Sequence, residues 1–139
     1  MDQVRDVSGK WKNDLGSVME LKEDGTGKIS GTYTTAAEFF MSNEPGEAAD
    51  LVGYIKNHTD KEIGIPTTTI TFCMAWKIEG SCSAFTGQIF PGENNEQPVI
   101  KTTWLLHSPV DGLQHNWAST RVGENTFYKI QTHQEDSQG

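Results

Sequence analysis

Six stretches of this chain alternate apolar and polar residues with a period of two, a spacing that suits half-buried strands and defeats a helix. "SVMELK" (17–22) puts Ser17, Met19 and Leu21 on one face, and "KISGTYTT" (28–35) gathers Ile29, Gly31, Tyr33 and Thr35. "TTTITFCMAWK" (67–77) aligns Ile70, Phe72, Met74 and Trp76, while "SAFTGQIF" (83–90) aligns Ser83, Phe85, Gly87 and Ile89. "VIKTTWLLH" (99–107) aligns Ile100, Thr102, Trp104 and Leu106; "TRVGENTFYKIQT" (120–132) aligns Gly123, Asn125 and Phe127. "GKWKN" (9–13) and a weaker run, "DLVGYIKN" (50–57), bring the count to eight. Turn signals "EDGTG" (23–27), "EGS" (79–81) and "PGENNEQP" (91–98) join neighbours as hairpins, and two longer links cover 36–49 and 108–116. The expected architecture is all-β: an eight-stranded antiparallel up-and-down β-barrel, whose closure leaves no free edge and encloses room for one small ligand. The 139 residues suit one domain, 1–139, with its core at about 8–132 and a polar tail after it.

Acidic residues outnumber basic ones 19 to 11, a formal net charge of −8. With no basic cluster and no cationic amphipathic helix, neither nucleic acid nor an anionic membrane is an expected partner. No apolar run is long enough for a transmembrane helix. The opening "MDQVRDVSGKW" lacks the apolar stretch of a signal peptide, which leaves a secretory leader either absent or removed. Cys73 and Cys82 are too few for a disulfide framework and lack metal-site spacing. A turn centred on Gly80 would put Cys82 opposite about position 78, out of bridging range of Cys73. Asn57-His58-Thr59 fits a glycosylation sequon, a triplet too common to fix a compartment.

The faces carrying Met19, Leu21, Ile29, Trp76, Phe85, Trp104 and Phe127 form the expected interior. Near one set of strand ends those faces also carry Ser17, Tyr33, Thr35, Ser83 and Asn125, joined by Asn13 at the end of the first strand. Unpartnered buried hydroxyls and amides cost roughly 1–3 kcal/mol each, so such a gathering either satisfies itself or awaits a polar ligand. Any one of the aromatics, taken alone, reads as core packing. Trp11 and Arg121 are assigned to closure of the base, since "GKW" with a distant Arg is similar to the arrangement in lipocalin-type barrels. His58, His107, His115 and His133 fall on loops or strand ends with no nucleophile beside them, and no paired carboxylates share the interior face. An enzyme is not expected.

"GKWKNDLGSVM", "GTYTTA", "FTGQ", "KTTWLL" and "WASTRVGENTF" occur in the order and spacing of the avidin family, and the chain resembles it from about Ser8 to Thr132. The likeness is nearer to the avidin of egg white than to streptavidin. It implies a barrel assembled as a homotetramer, secreted, that binds biotin without chemistry or cofactor and so sequesters it, an antimicrobial role in the family. By position, Asn13, Ser17 and Tyr33 match donors to the ureido oxygen, and Thr35 and Asn125 match acceptors for the ureido N–H groups. Trp76, Phe85 and Trp104 match the aromatic box, Ser83 a contact near the sulfur, and Leu15 and Leu106 apolar walls. Ser81 matches a hydroxyl on the carboxylate tail. Trp117 matches the indole lent to a neighbouring subunit's pocket.

The sequence departs from the family at the mouth, where Glu79 replaces a serine, Ile78 an aromatic lid, and the loop "AEFFMS" with Glu38 is one residue longer. Tail recognition is therefore expected to be weaker than floor recognition. Outward positions Thr103, Val122 and Glu124 correspond to an aliphatic contact between subunits in which only Val122 keeps that character. The alternative is a lipocalin-like carrier of a small apolar ligand, which would leave Asn13, Ser17, Tyr33, Thr35 and Asn125 unpaired.

Overall fold

The computed structural model describes residues 7–36, 47–77, 80–92 and 96–130. Eight strands follow one another: β1 (Gly9–Asn13), β2 (Val18–Glu23), β3 (Lys28–Thr34), β4 (Ala48–Thr59), β5 (Pro66–Ala75), β6 (Cys82–Phe90), β7 (Val99–His107) and β8 (Thr120–Lys129). Each pairs antiparallel with the next, and β8 returns to β1 in the register Trp11↔Lys129 and Asn13↔Phe127, closing the barrel. The up-and-down order expected from the turn signals is the order found. β8 ends at Lys129, and residues 131 and 132 of its expected span lie outside the described residues. The weakest run became the longest strand: β4 buries Ala49, Leu51 and Ile55, but its small inward residues and exposed last four positions blur the alternation.

Inward side chains divide the barrel lengthwise. Toward one end Leu21, Ile29, Ile55, Ile70, Ile89 and Ile100 pack with Phe127 and Trp11 into an aliphatic core. Trp11 is almost wholly buried and its Nε1–H donates to the Val7 carbonyl at 2.9 Å. Its cationic partner corrects the sequence reading. Lys129, not Arg121, stands over the indole, with Nζ 5.0 Å from the ring centroid and donating to the Ser8 carbonyl at 2.7 Å. Arg121 opens β8 opposite Leu106, eight residues or about 26 Å of strand from that plug. Gly9, at φ 126°, is favoured here because L side chains rarely adopt that backbone conformation.

The β5–β6 register differs from the one expected of a turn centred on Gly80. Cys82 pairs with Ala75 and Cys73 with Ala84, so the two thiols are diagonal neighbours on the outer face. Both are free and exposed, as expected, although nearer one another than the assumed turn implied. Not every inward hydroxyl belongs to a site: Thr102 Oγ donates to the Asn125 carbonyl at 3.1 Å, and Thr68 Oγ to Asn57 Oδ1 at 2.6 Å.

Candidate functional site

The other end of the barrel is open and holds a cavity of about 390 Å³, a size suited to one small molecule. Its wall takes Tyr33 from the end of β3, Thr35 just after it, Glu47 before β4, and Trp76 after β5. Ser81 comes just before β6, Ser83 and Phe85 from its start, Trp104 and Leu106 from β7, and Arg121 and Asn125 from β8. All sit at strand ends facing the same way because antiparallel neighbours bring the C-terminal end of each odd strand beside the N-terminal end of the next.

Aromatic rings make most of the wall. Tyr33 meets Trp76 edge-on at 5.8 Å and Phe85 at 5.6 Å, and Phe85 stacks on Phe72 at 4.7 Å. Trp76 Nε1–H donates to Ser83 Oγ at 2.9 Å, which fixes the indole's tilt. Trp104 lies against Gly123, where a Cβ would come within 2.2 Å of the indole ring. That glycine is what lets the ring lie against β8. The Trp104 Nε1–H is buried without a hydrogen-bond partner among the described residues.

The β1–β2 turn supplies the polar floor. Asn13 Oδ1 accepts the backbone N–H groups of Leu15 and Ser17, each at 2.9 Å, closing the turn on itself. Its amide nitrogen is left to donate to the Tyr33 hydroxyl at 3.1 Å. An amide nitrogen carries two hydrogens and a phenol one, so donors remain on this wall after the internal bonds are made. Burial holds the Tyr33 phenol well above its usual 10.0, at about 12, against the opposing hydrogen bonds of Ser17 and Asn13; the nearby Asp14 charge adds to the rise. Tyr33 is therefore a neutral donor throughout the physiological range. Ser17 is fully buried and accepts the Ala36 N–H at 3.3 Å.

Asn125, 7% exposed on β8, donates its amide nitrogen to Asp14 Oδ1 at 3.0 Å. Thr35 Oγ accepts the Glu47 N–H at 3.0 Å, and the Glu47 carboxylate in turn accepts the Lys77 N–H, tying the start of β4 to the end of β5. Ser81 is buried against Ser108, their oxygens 3.0 Å apart.

Nine of the thirteen residues singled out from sequence line this cavity: Tyr33, Thr35, Trp76, Ser81, Ser83, Phe85, Trp104, Leu106 and Asn125. Asn13 and Ser17 are buried beneath it, the first bonded to Tyr33. Leu15, 47% exposed, and Trp117, 82% exposed on a short 3-10 helix (Leu113–Ala118), stand outside it. Glu38, Ile78 and Glu79 lie outside the described residues. Sequence reasoning missed Glu47 and Arg121. Arg121 shares the parity of Gly123, Asn125 and Phe127, and following that alternation two residues further would have placed it inward at the open end. Glu47 likewise shares the parity of Ala49, Leu51 and Ile55, but it precedes β4, the strand whose alternation is weakest. Among the described residues no group of three His, Cys, Asp or Glu side chains could hold a metal ion.

A family model described as the avidin family matches residues 1–130. Avidin of Gallus gallus is 39% identical over 130 residues, covering 93% of this chain and 81% of that protein. Avidin-related protein 4/5 of Gallus gallus is 34% identical over 132 residues, with the same coverage. Among solved structures, xenavidin superposes with a TM-score of 0.76 at 32% identity, over 92% of this chain and all of that one. A biotin binding protein from chicken gives 0.76 at 29% identity, over 90% of this chain and 98% of that one.

Proposed function

The chain belongs to the avidin family, whose members bind biotin without catalysis, and we propose that it captures biotin in the open end of its barrel. It is not an enzyme. The observation that carries the site assignment is the excess of buried donors around Tyr33 beside acceptors on Thr35 and Asn125. A cyclic urea has one strongly accepting oxygen flanked by two N–H groups, the complement of that set. Asn13, Ser17 and Tyr33 donate to the oxygen, and three donors on one atom draw negative charge onto it where water is excluded. Thr35 and Asn125 take the two N–H groups. Trp76, Phe85 and Trp104 enclose the rings, with Leu106 as an apolar wall and Ser83 beside the sulfur. At the mouth Ser81 and Arg121 reach the tail, with Glu47 as the opposing charge. An apolar cargo would strand the floor groups, which is why the lipocalin-like alternative is disfavoured. Such capture fits secretion and withdrawal of the vitamin from microbes.

Assembly belongs to the same reading. Val52, Cys73, Ala84, Leu105 and Val122 are successive cross-strand partners over β4 to β8, an apolar row on the outer surface. Trp117 leaves a large apolar side chain in solvent, and covering it recovers roughly 4–6 kcal/mol at about 25 cal/mol per Å². Both features support a homotetramer in which Trp117 covers a neighbour's pocket, with Glu124 weakening one contact by facing its own copy. Calorimetry with biotin tests the function: one site per chain is expected, and absence of heat and of competition with a biotin conjugate overturns it. Trp117→Lys should weaken biotin binding and loosen the oligomer together in sedimentation. Full-strength binding by a monomeric Trp117→Lys protein ends the shared-site idea.

A further inference from the structure

We propose that Asp14 is a positioning residue that fixes which end of the Asn125 amide faces the pocket, and so makes an N–H donor obligatory on the ligand at that wall. The inference rests on the biotin reading above and extends it to a residue outside the cavity lining.

The two ends of a carboxamide have nearly the same shape and opposite hydrogen-bonding character, so shape alone does not select between them. Asn125 stands inward on β8 and lines the cavity. Its nitrogen lies 3.0 Å from Asp14 Oδ1. An ionised carboxylate only accepts, so it can be met by the NH₂ end and repels the carbonyl end. The amide oxygen is thereby turned away from Asp14, and the pocket meets an acceptor. The turn that carries Asp14 is itself held in place. The Asn13 side chain clamps the turn through Leu15 N–H and Ser17 N–H, and backbone bonds from Asn13 N–H to Ser17 O at 2.9 Å and Gly16 N–H to Asn13 O at 3.1 Å hold it from within.

One turn therefore sets two opposite polarities with consecutive residues. Asn13 spends its oxygen on the turn and presents a donor toward Tyr33; Asp14 occupies the nitrogen of Asn125 and leaves an acceptor. A ligand with an acceptor in place of the N–H would set two lone pairs against each other and leave the hydrogen bond unmade. At position 14 an asparagine could donate as well as accept, and the Asn125 amide would lose its reason to choose.

The test compares biotin with the two cyclic carbamate analogues in which one or the other ureido N–H is replaced by ring oxygen. Wild type should reject the analogue whose oxygen faces Asn125, and Asp14→Asn should shrink that preference about tenfold, while the preference at the Thr35 side stays unchanged. The exchanged pair Asp14→Asn with Asn125→Asp should restore it, since the amide now at position 14 donates to a carboxylate that keeps an acceptor for the ligand. Both ligands are measured on the same variant, so general loosening of the pocket moves both affinities and leaves their ratio alone. An unchanged ratio in Asp14→Asn overturns the proposal while leaving biotin binding intact. A wild type that does not bind biotin instead overturns the functional reading. The lock is then decided without ligand, by hydrogen exchange of the Asn125 side-chain amide. Exchange should be slower in wild type than in Asp14→Ala, and equal rates overturn the proposal.

Discussion

At the Lys129 end of β8 the polar groups are consumed by the chain itself, whereas at the Arg121 end they form a connected set with capacity to spare. Trp11 Nε1 is spent on Val7, Lys129 Nζ on Ser8 and the indole face, and Ser8 Oγ on the Glu23 N–H. Around the cavity Asn13 keeps a second amide hydrogen after bonding Tyr33, and Trp104 Nε1 is buried without a partner among the described residues. Aromatic side chains are common to both ends, so apolar content does not tell plug from pocket. The difference lies in how completely the polar atoms are saturated. A barrel end becomes structural when its hydrogen bonds close within the fold, and becomes a site when some are held open by neighbours that fix their direction.

The largest test of this contrast pits one tryptophan against another. Trp11→Ala should cost about 3–5 kcal/mol of stability, because it empties a fully buried site and removes the ring beneath Lys129. Trp104→Ala, at a half-open cavity wall, should lose most of its biotin affinity with a much smaller fall in melting temperature. Equal melting losses in the two variants would break the division between plug and pocket.

Tyr33 gives the next effect, and its sign follows from linkage. Its folded pKa of about 12 lies above the ordinary 10.0, so the unfolded chain releases the proton first. The stabilising contribution is complete below pH 10 and declines as the pH rises toward 12, by about 2–3 kcal/mol in all. Tyr33→Phe should lack that alkaline limb, so the difference between the two stability curves should carry it. The same substitution, like Asn13→Ala, should also speed biotin dissociation by the equivalent of about 1–3 kcal/mol. If neither variant dissociates faster, the floor assignment is wrong.

The smallest effects sharpen the comparison along β8. Lys129→Ala should lower stability by about 1 kcal/mol, through loss of the cation–π contact and the bond to Ser8, with biotin affinity unchanged. Arg121→Ala should leave stability alone and reduce only the preference for free biotin over its neutral amide. That preference should be small even in wild type, because the Glu47 carboxylate shares the mouth. A strong preference for the free acid that survives Arg121→Ala would mean that backbone N–H groups hold the tail.

Alternation and turn chemistry are local, and they sufficed for the strand count, the antiparallel order and the inward face of each strand. The same alternation, with the family's motifs, named nine of the cavity's lining residues. It did not say at which end of β8 the cation over Trp11 sits, because a parity repeats every two residues and only the β1–β8 register, between segments more than a hundred positions apart, selects Lys129 over Arg121. Nor did it give Glu47 or Asp14 a place at the site: Glu47 continues the inward parity of Ala49, Leu51 and Ile55 but precedes the run whose alternation is weakest, and Asp14 reaches the site only through a bond to a residue distant in the chain. The identity of a residue states that an amide is present. Which end of it a ligand meets was decided by the neighbour that folding brought to the other end, and for Asn125 that neighbour is 111 residues away.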